Sequence, residues 1–236
     1  MEKIAAESVP HLRAGQMREV DRLLSEKFGI KLIQLMESAG RNLAHLARER
    51  FFDGDPTGKR VIVLAGTGGN GGGALVAARR LHNWGAEVQV GLTRPVADYR
   101  GVPARHVGIL QRMNVPIVAL PEPGDLILDG IIGYSLRGAP RGTYADRIDW
   151  ANDQGAPILA LDLPSGVDAS EGTVHTPAIR AAATLALGLP KVGLKGAVEQ
   201  VGELYLADIG IPPALYAKLD LAVAPYFARG DIVRLI

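Results

Sequence analysis

Three segments of the chain end an apolar run on a polar group that could do chemistry. Leu126-Ile-Leu-Asp129 leads to Gly130-Ile-Ile-Gly133, Leu159-Ala-Leu-Asp162 leads to Leu163-Pro-Ser165-Gly-Val-Asp168, and Val61-Ile-Val-Leu-Ala65 enters a glycine turn that carries Asn70. Such runs read as buried strands, and in parallel α/β sheets ligands bind beyond the strands' carboxyl ends, so the three ends should converge on one crevice. A lone aspartate in such a place can be a helix cap or a structural acceptor. Two of them beside a glycine turn favour function. Asp129, Ser165 and the amide oxygen of Asn70 are hard oxygen donors, suited to an alkali or alkaline-earth cation and unsuited to zinc.

Six glycines lie between Gly66 and Gly73. They are expected to permit positive φ and close approach of a ligand, while the N–H groups opening the next helix point at anionic oxygens. The alternative is a tight βα turn that merely needs glycine, although such loops of about 2–6 residues seldom need so many. Gly66-x-Gly68-x-x-Gly71 also meets the dinucleotide fingerprint, which asks for an acidic residue about 20 positions on, at the end of the next strand. Glu87 instead opens that strand, and Thr93 and Arg94 stand at its far end, so an orthodox hydride-transfer site is not expected. Gly133-Tyr-Ser-Leu-Arg137-Gly-Ala139 is a second glycine-bracketed loop, in which Arg137 is either a phosphate clamp or a solvated loop arginine. Lys191 follows a strand and is placed to reach the same crevice.

Positioning these groups requires an alternating pattern of elements. Strands are expected over 60–65, 87–92, 115–119, 125–129 and 157–161, with helices over 72–84, 98–113 and 142–153 between them. After residue 170, strands are expected over 178–187, 203–206 and 222–226. Residues 14–53 read as two amphipathic helices broken near Gly29, with Met17, Val20 and Leu24 on one and Leu32, Leu35, Met36, Ala39, Leu43 and Leu46 on the other. The fold class expected is α/β: a single domain over 1–236, three-layer α/β/α and Rossmann-like, with a mostly parallel sheet and an N-terminal helical extension packing on the core.

The chain's 236 residues, 47% of them hydrophobic, suffice for one such domain. With 26 basic and 25 acidic side chains the formal charge is +1, so no global field recruits nucleic acid or an anionic membrane. Cysteine is absent, which removes thiol nucleophiles and thiolate metal sites and fits a reducing interior. Neither a signal peptide nor an apolar run of about 20 residues is evident, and a cytoplasmic location is expected.

Taken in order, these motifs resemble the NAD(P)H-hydrate epimerase family, the YjeF N-terminal domain. Ala14-Gly-Gln-Met17…Asp21 and Leu35-Met-Glu-Ser-Ala-Gly40 are similar to its helical opening, and Ala65 to Arg79 to its glycine loop. Asp129…Gly133, Asp162-Leu-Pro-Ser-Gly-Val-Asp168, Leu189-Pro-Lys-Val-Gly193 and Asp208-Ile-Gly-Ile-Pro212 follow in family order. The resemblance implies a potassium ion held by Asn70, Asp129 and Ser165. It implies substrate contacts from Gly69, Asn70, Gly71, Gly72, Gly73 and Asp162, and from Gly133, Tyr134, Ser135, Leu136, Arg137, Gly138 and Ala139. The implied substrates are NADHX and NADPHX, and a homodimer through the N-terminal helices is implied as well, the second helix carrying an apolar stripe.

The family loop is usually Asn-Asn-Gly-Gly-Asp, so Gly69 and Gly73 replace an amide and an acid. The hydrates carry a hydroxyl on C6 beside the ring nitrogen. Its loss as water leaves a nitrogen-stabilised cation that water re-enters from either face, with Asp162 as the expected acid and base. Two readings stand at this point: an epimerase, in full or weakened form, and a non-catalytic relative that binds another nucleotide or a partner.

Overall fold

The computed structural model describes all residues, 1–236. Nine strands form one sheet: β1 (Glu2–Ile4), β2 (Arg60–Ala65), β3 (Glu87–Leu92), β4 (Ile117–Val118), β5 (Leu126–Gly130), β6 (Ile158–Leu161), β7 (Ala183–Leu187), β8 (Glu203–Ala207) and β9 (Ile232–Leu235). Their order is β1-β9-β8-β7-β6-β5-β2-β3-β4. Every pairing is parallel except β8 with β9. The helices are α1 (Ala14–Glu26), α2 (Leu32–Phe51), α3 (Gly69–Asn83), α4 (Gly101–Arg112), α5 (Thr143–Asp153), α6 (Val198–Val201) and α7 (Pro213–Ala217). The chain runs from β2 outward to β4 and then returns to β5 on β2's other side. The topological switch point therefore lies between β2 and β5, where the crevice rule places a ligand.

Alternation along the strands sorts the core. Val61, Val63, Leu126 and Leu128 join Leu43 and Leu46 of α2, Leu75 of α3 and Leu110 of α4 in one cluster. Ile62, Leu64 and Ile127 face the other way, onto Ile148 and Ala151 of α5. A third cluster joins α1, through Met17, Val20 and Leu24, to Ala186, Leu206 and Val233. Helices α1 and α2 each start with a glutamine that reaches back to the preceding backbone: Arg13 N–H donates to Gln16 Oε1 at 2.9 Å and Lys31 N–H to Gln34 Oε1 at 2.8 Å. Between them Gly29 takes φ +67° and ends α1.

Several expectations need correction. No strand forms over 222–226, where Pro225 has no N–H for a ladder and Val223, Tyr226 and Phe227 pack against the third cluster instead. The last strand is β9, and β1 pairs with it at the sheet edge. Strand β7 begins at Ala183, because the amides of Ile179 and Ala181 bond to Ser165 and Gln200 in loop and helix. Helix α3 begins at Gly69, inside the glycine stretch. The apolar stripe of α2 is buried within the chain, Leu43 and Leu46 against α3 and Leu35 and Ala39 in the cluster that α1 joins, while Leu32 is 50% exposed.

A Cβ on Gly40 would stand 2.3 Å from the Gly73 carbonyl oxygen and 2.4 Å from Val76 Cβ, so α2 and α3 meet at backbone distance. Gly40→Ala is expected to lower stability in urea by about 1–3 kcal/mol by overpacking. Gly69→Ala, whose Cβ would meet nothing within 4 Å, is the matched control and should be neutral or slightly stabilising.

Candidate functional site

None of the glycines from Gly66 to Gly73 has positive φ. Their role is close approach: a Cβ on Gly71 would lie 1.8 Å from the Gly66 carbonyl oxygen, and one on Gly66 would lie 2.0 Å from that of Ile131. The stretch is thus pressed into a first helical turn lying on the segment that follows β5. The first backbone bond of α3 runs from Gly72 N–H to Gly68 O at 3.0 Å, leaving the N–H groups of Gly69, Asn70 and Gly71 without partners in the helix. They line a cleft of about 380 Å³ whose far wall is Ile131 to Ser135. A Cβ on Gly68 or Gly69 would meet nothing within 4 Å, so these two glycines leave room on the cleft side that no protein contact requires.

Asn70, Asp129 and Ser165 surround the same segment. Asp129 is fully buried; its Oδ1 accepts Ser165 Oγ–H at 2.6 Å and Ile131 N–H at 3.1 Å, and its Oδ2 accepts Ser165 N–H at 2.8 Å. Burial pushes its carboxyl up to about 6 against the opposing pull of these hydrogen bonds. Ser165 Oγ accepts Ile132 N–H at 2.8 Å. Asn70 Nδ2 donates to the Leu161 carbonyl at 2.6 Å, while its Oδ1 accepts no hydrogen bond from the protein. That oxygen lies against Gly133, where a Cβ would be 2.5 Å away, so only glycine lets Asn70 enter. No group of three or more His, Cys, Asp or Glu side chains is placed to hold a metal. The three side chains offer oxygen donors only, one of them a carboxylate, which is a hard donor set.

Asp162 ends β6 with φ +70°, and Leu163 N–H bonds back to Leu161 O at 2.9 Å across it. This tight γ-turn is strained for a residue with a side chain and throws the carboxylate inward. It is 2% exposed, and Lys191 Nζ, itself fully buried, donates to its Oδ1 at 2.5 Å. Lys191 also donates to the carbonyls of Leu187 at 3.1 Å and Leu189 at 3.2 Å, so all three of its protons are engaged. Oδ2 of Asp162 accepts no hydrogen bond and opens on a cavity of about 80 Å³ walled by Met17, Leu35, Met36, Ala39, Leu187 and Ile209. This cavity adjoins the larger cleft: Asp21, Leu32, Gly69, Asn70 and Tyr134 line both.

Asp21 of α1, in the sequence one residue of the helical opening, also reaches the site, bonded by the Tyr134 hydroxyl. Burial raises its carboxyl above the usual range; Tyr134 and Lys191 oppose this, and the charge of Asp162 adds to it. The available signal was an acidic residue four positions beyond Met17, on the apolar face of α1. Tyr134 and Ser135 line the cleft as expected, but Leu136, Arg137, Gly138 and Ala139 do not. Arg137 is exposed and contacts no acid. Gly72 and Gly73 face α2 and the sheet instead, a Cβ on the first meeting Met36 Sδ at 2.3 Å and on the second Leu161 Cδ2 at 2.9 Å. Position 73 is therefore a packing position here, surrounded by Leu161 and Ala39.

Removing one member of a buried ion pair leaves the other charge without compensation. Lys191→Met and Asp162→Asn should each cost about 3–5 kcal/mol in chemical denaturation, whereas the double variant should recover most of that loss.

A family model described as YjeF-related protein N-terminus matches residues 32–193. A protein from Dehalogenimonas lykanthroporepellens named NAD(P)H-hydrate epimerase is 44% identical over 228 residues, which cover 93% of this chain and 90% of that one. One of the same name from Truepera radiovictrix is 38% identical, covering 95% of this chain and all of its own length. A bifunctional NAD(P)H-hydrate repair enzyme from Moorella thermoacetica is 37% identical, and there the match spans 41% of the longer protein. The crystal structure of yeast ynu0 superposes with a TM-score of 0.84 at 26% identity, covering 96% of this chain. Similarity this extensive, in sequence and in three dimensions, makes the chain a member of the YjeF-related protein N-terminus family.

Proposed function

We propose that this protein is an NAD(P)H-hydrate epimerase that interconverts the R and S forms of NADHX and NADPHX. The observation that carries the reading is the buried Asp162, clamped through one carboxylate oxygen and open through the other to a ring-sized apolar cavity beside a helix N-terminus. The substrate's diphosphate would rest on the N–H groups of Gly69, Asn70 and Gly71, where unpartnered donors and the helix dipole favour anions. The hydrated ring would then enter the smaller cavity.

Inversion at C6 removes hydroxide as water from one face and returns water to the other. The leaving hydroxyl takes a proton from a carboxyl group, the C6–O bond breaks, and the ring nitrogen's lone pair stabilises the cation. Water attacks the opposite face and gives its extra proton to a carboxylate, so atoms and charge balance. Asp162 Oδ2 exchanges a proton at C6. Asp21, whose proton affinity burial raises, is the second carboxyl group on this cavity and serves the other transfer. Lys191, with every proton engaged, positions Asp162.

Asn70 Oδ1, Asp129 and Ser165 Oγ would hold a potassium ion. When bound, the ion supplies positive charge that orders the glycine turn and the 131–135 segment near the diphosphate.

Asp162→Asn, alone and combined with Lys191→Met to keep the core compensated, should abolish the accelerated R/S interconversion measured by chromatography. Turnover persisting in a folded double variant would overturn the role of Asp162. Replacing tetramethylammonium chloride by potassium chloride at equal ionic strength should raise Tm, since a ligand of the folded state stabilises it. Asn70→Ala should remove that shift.

A further inference from the structure

A second cleft, of about 300 Å³, lies at the carboxyl ends of β3 and β4, and the reading above leaves it unused. Its polar lining is Thr93, Arg94, Thr143 and Arg147: two hydroxyls and two guanidiniums, with no carboxylate. Arg147 Nε is buried and unpartnered, and Thr93 is fully buried, its hydroxyl beside those of Tyr99 and Tyr144 without a well-formed hydrogen bond to either. Another nitrogen of Arg147 donates to the Ala119 carbonyl, which fixes the guanidinium in place. Arg94 is exposed, its guanidinium 5.8 Å from the centre of the Tyr144 ring. Helix α5 starts at Thr143, so its positive end also meets the cleft. Asp146, the acid of that first turn, is exposed and does not line it.

A buried donor is unfavourable unless an acceptor takes it up, and beside the fixed guanidinium of Arg147 and the exposed one of Arg94 an anionic acceptor is favoured. The cleft adjoins the crevice through Tyr144, which lines the crevice and follows Thr143 in the chain. Ala65 and Leu92 are register partners, so Thr93 stands one strand away from the glycine turn. A dinucleotide whose diphosphate rests on the first helix N-terminus brings its adenosine ribose to the end of the second strand. A carboxylate there accepts from a free 2′-hydroxyl, whereas an arginine accommodates a 2′-phosphate. This chain has Thr93 and Arg94 at that place.

We propose that the cleft formed by Thr93, Arg94, Thr143 and Arg147 binds the 2′-phosphate of an adenosine ribose, so that NADPHX is preferred over NADHX. The inference rests on the crevice being a site for hydrated nicotinamide dinucleotides and assigns which of the two it selects. Titration calorimetry with adenosine 2′,5′-bisphosphate, adenosine 3′,5′-bisphosphate and adenosine 5′-monophosphate tests it. The 2′,5′ compound should bind about ten- to a hundredfold tighter than the monophosphate, as a new charge-assisted contact implies, and its 3′,5′ isomer of equal charge should not. Arg94→Ala, a change at an exposed side chain, should remove most of the gain. Equal binding of the two bisphosphates, or a 2′ preference that survives both Arg94→Ala and Thr93→Val, would overturn the proposal. The fragments carry no nicotinamide ring, so a failed epimerisation assay and a failed 2′-phosphate preference are separate results.

Discussion

The first turn of α3 is held by backbone on three sides, and the site is built around it. Gly71 lies against Gly66, Gly66 against Ile131, and Gly73's carbonyl against Gly40 of α2, each at a separation that a single Cβ would prevent. Close-packed interiors do not relax easily around an added methyl group, so the turn is fixed in place by what its residues lack. The N–H groups of the turn are then left facing the one direction free of protein, the cleft. Asn70 gains its position through the same constraint, since its side chain passes over Gly133 to reach the Leu161 carbonyl.

A second constraint sits one strand away. Burying Asp162 and Lys191 together removes two charges from water, and neither would remain there without the other. The lysine's remaining protons go to the carbonyls of Leu187, the last residue of β7, and of Leu189 just beyond it. The pair thus ties the end of β6 to the end of β7 and holds an aspartate at φ +70°. Strain of this kind persists only where the surroundings over-determine it, and here they leave one carboxylate oxygen uncommitted beside the cavity.

Replacement of the family's usual loop acid by glycine has a local rationale. The space a side chain would occupy at position 73 is bounded by Leu161 and Ala39, so the chain carries glycine where its own packing is apolar. The acidic groups on the cavity come instead from α1 and β6. Asp21 and Asp162 are far apart in sequence, and the charge of Asp162 adds to the rise in Asp21's proton affinity that burial causes.

Much of this arrangement is legible in the residues themselves. The runs at 60–65 and 87–92 match strands to the residue, and Asp162 and the glycine turn line adjoining cavities at strand ends, whereas Asp129 is buried beneath them on Ser165. Short edge strands were not legible: β1 and β9 are three and four residues long and are strands because β1 pairs with β9 and β9 with β8. Likewise 222–226 has strand-like residues but packs as a loop. By itself the sequence determined the alternating α/β order and the switch-point crevice, because periodicity and strand-end position are local properties of the chain. Tertiary structure alone decided that the glycines serve close approach, that Lys191 neutralises Asp162, that Asp21 joins the site, and that the α2 stripe is buried between α3 and the cluster of α1. Each of these depends on a distance between residues remote in sequence, and no pattern along the chain encodes a distance.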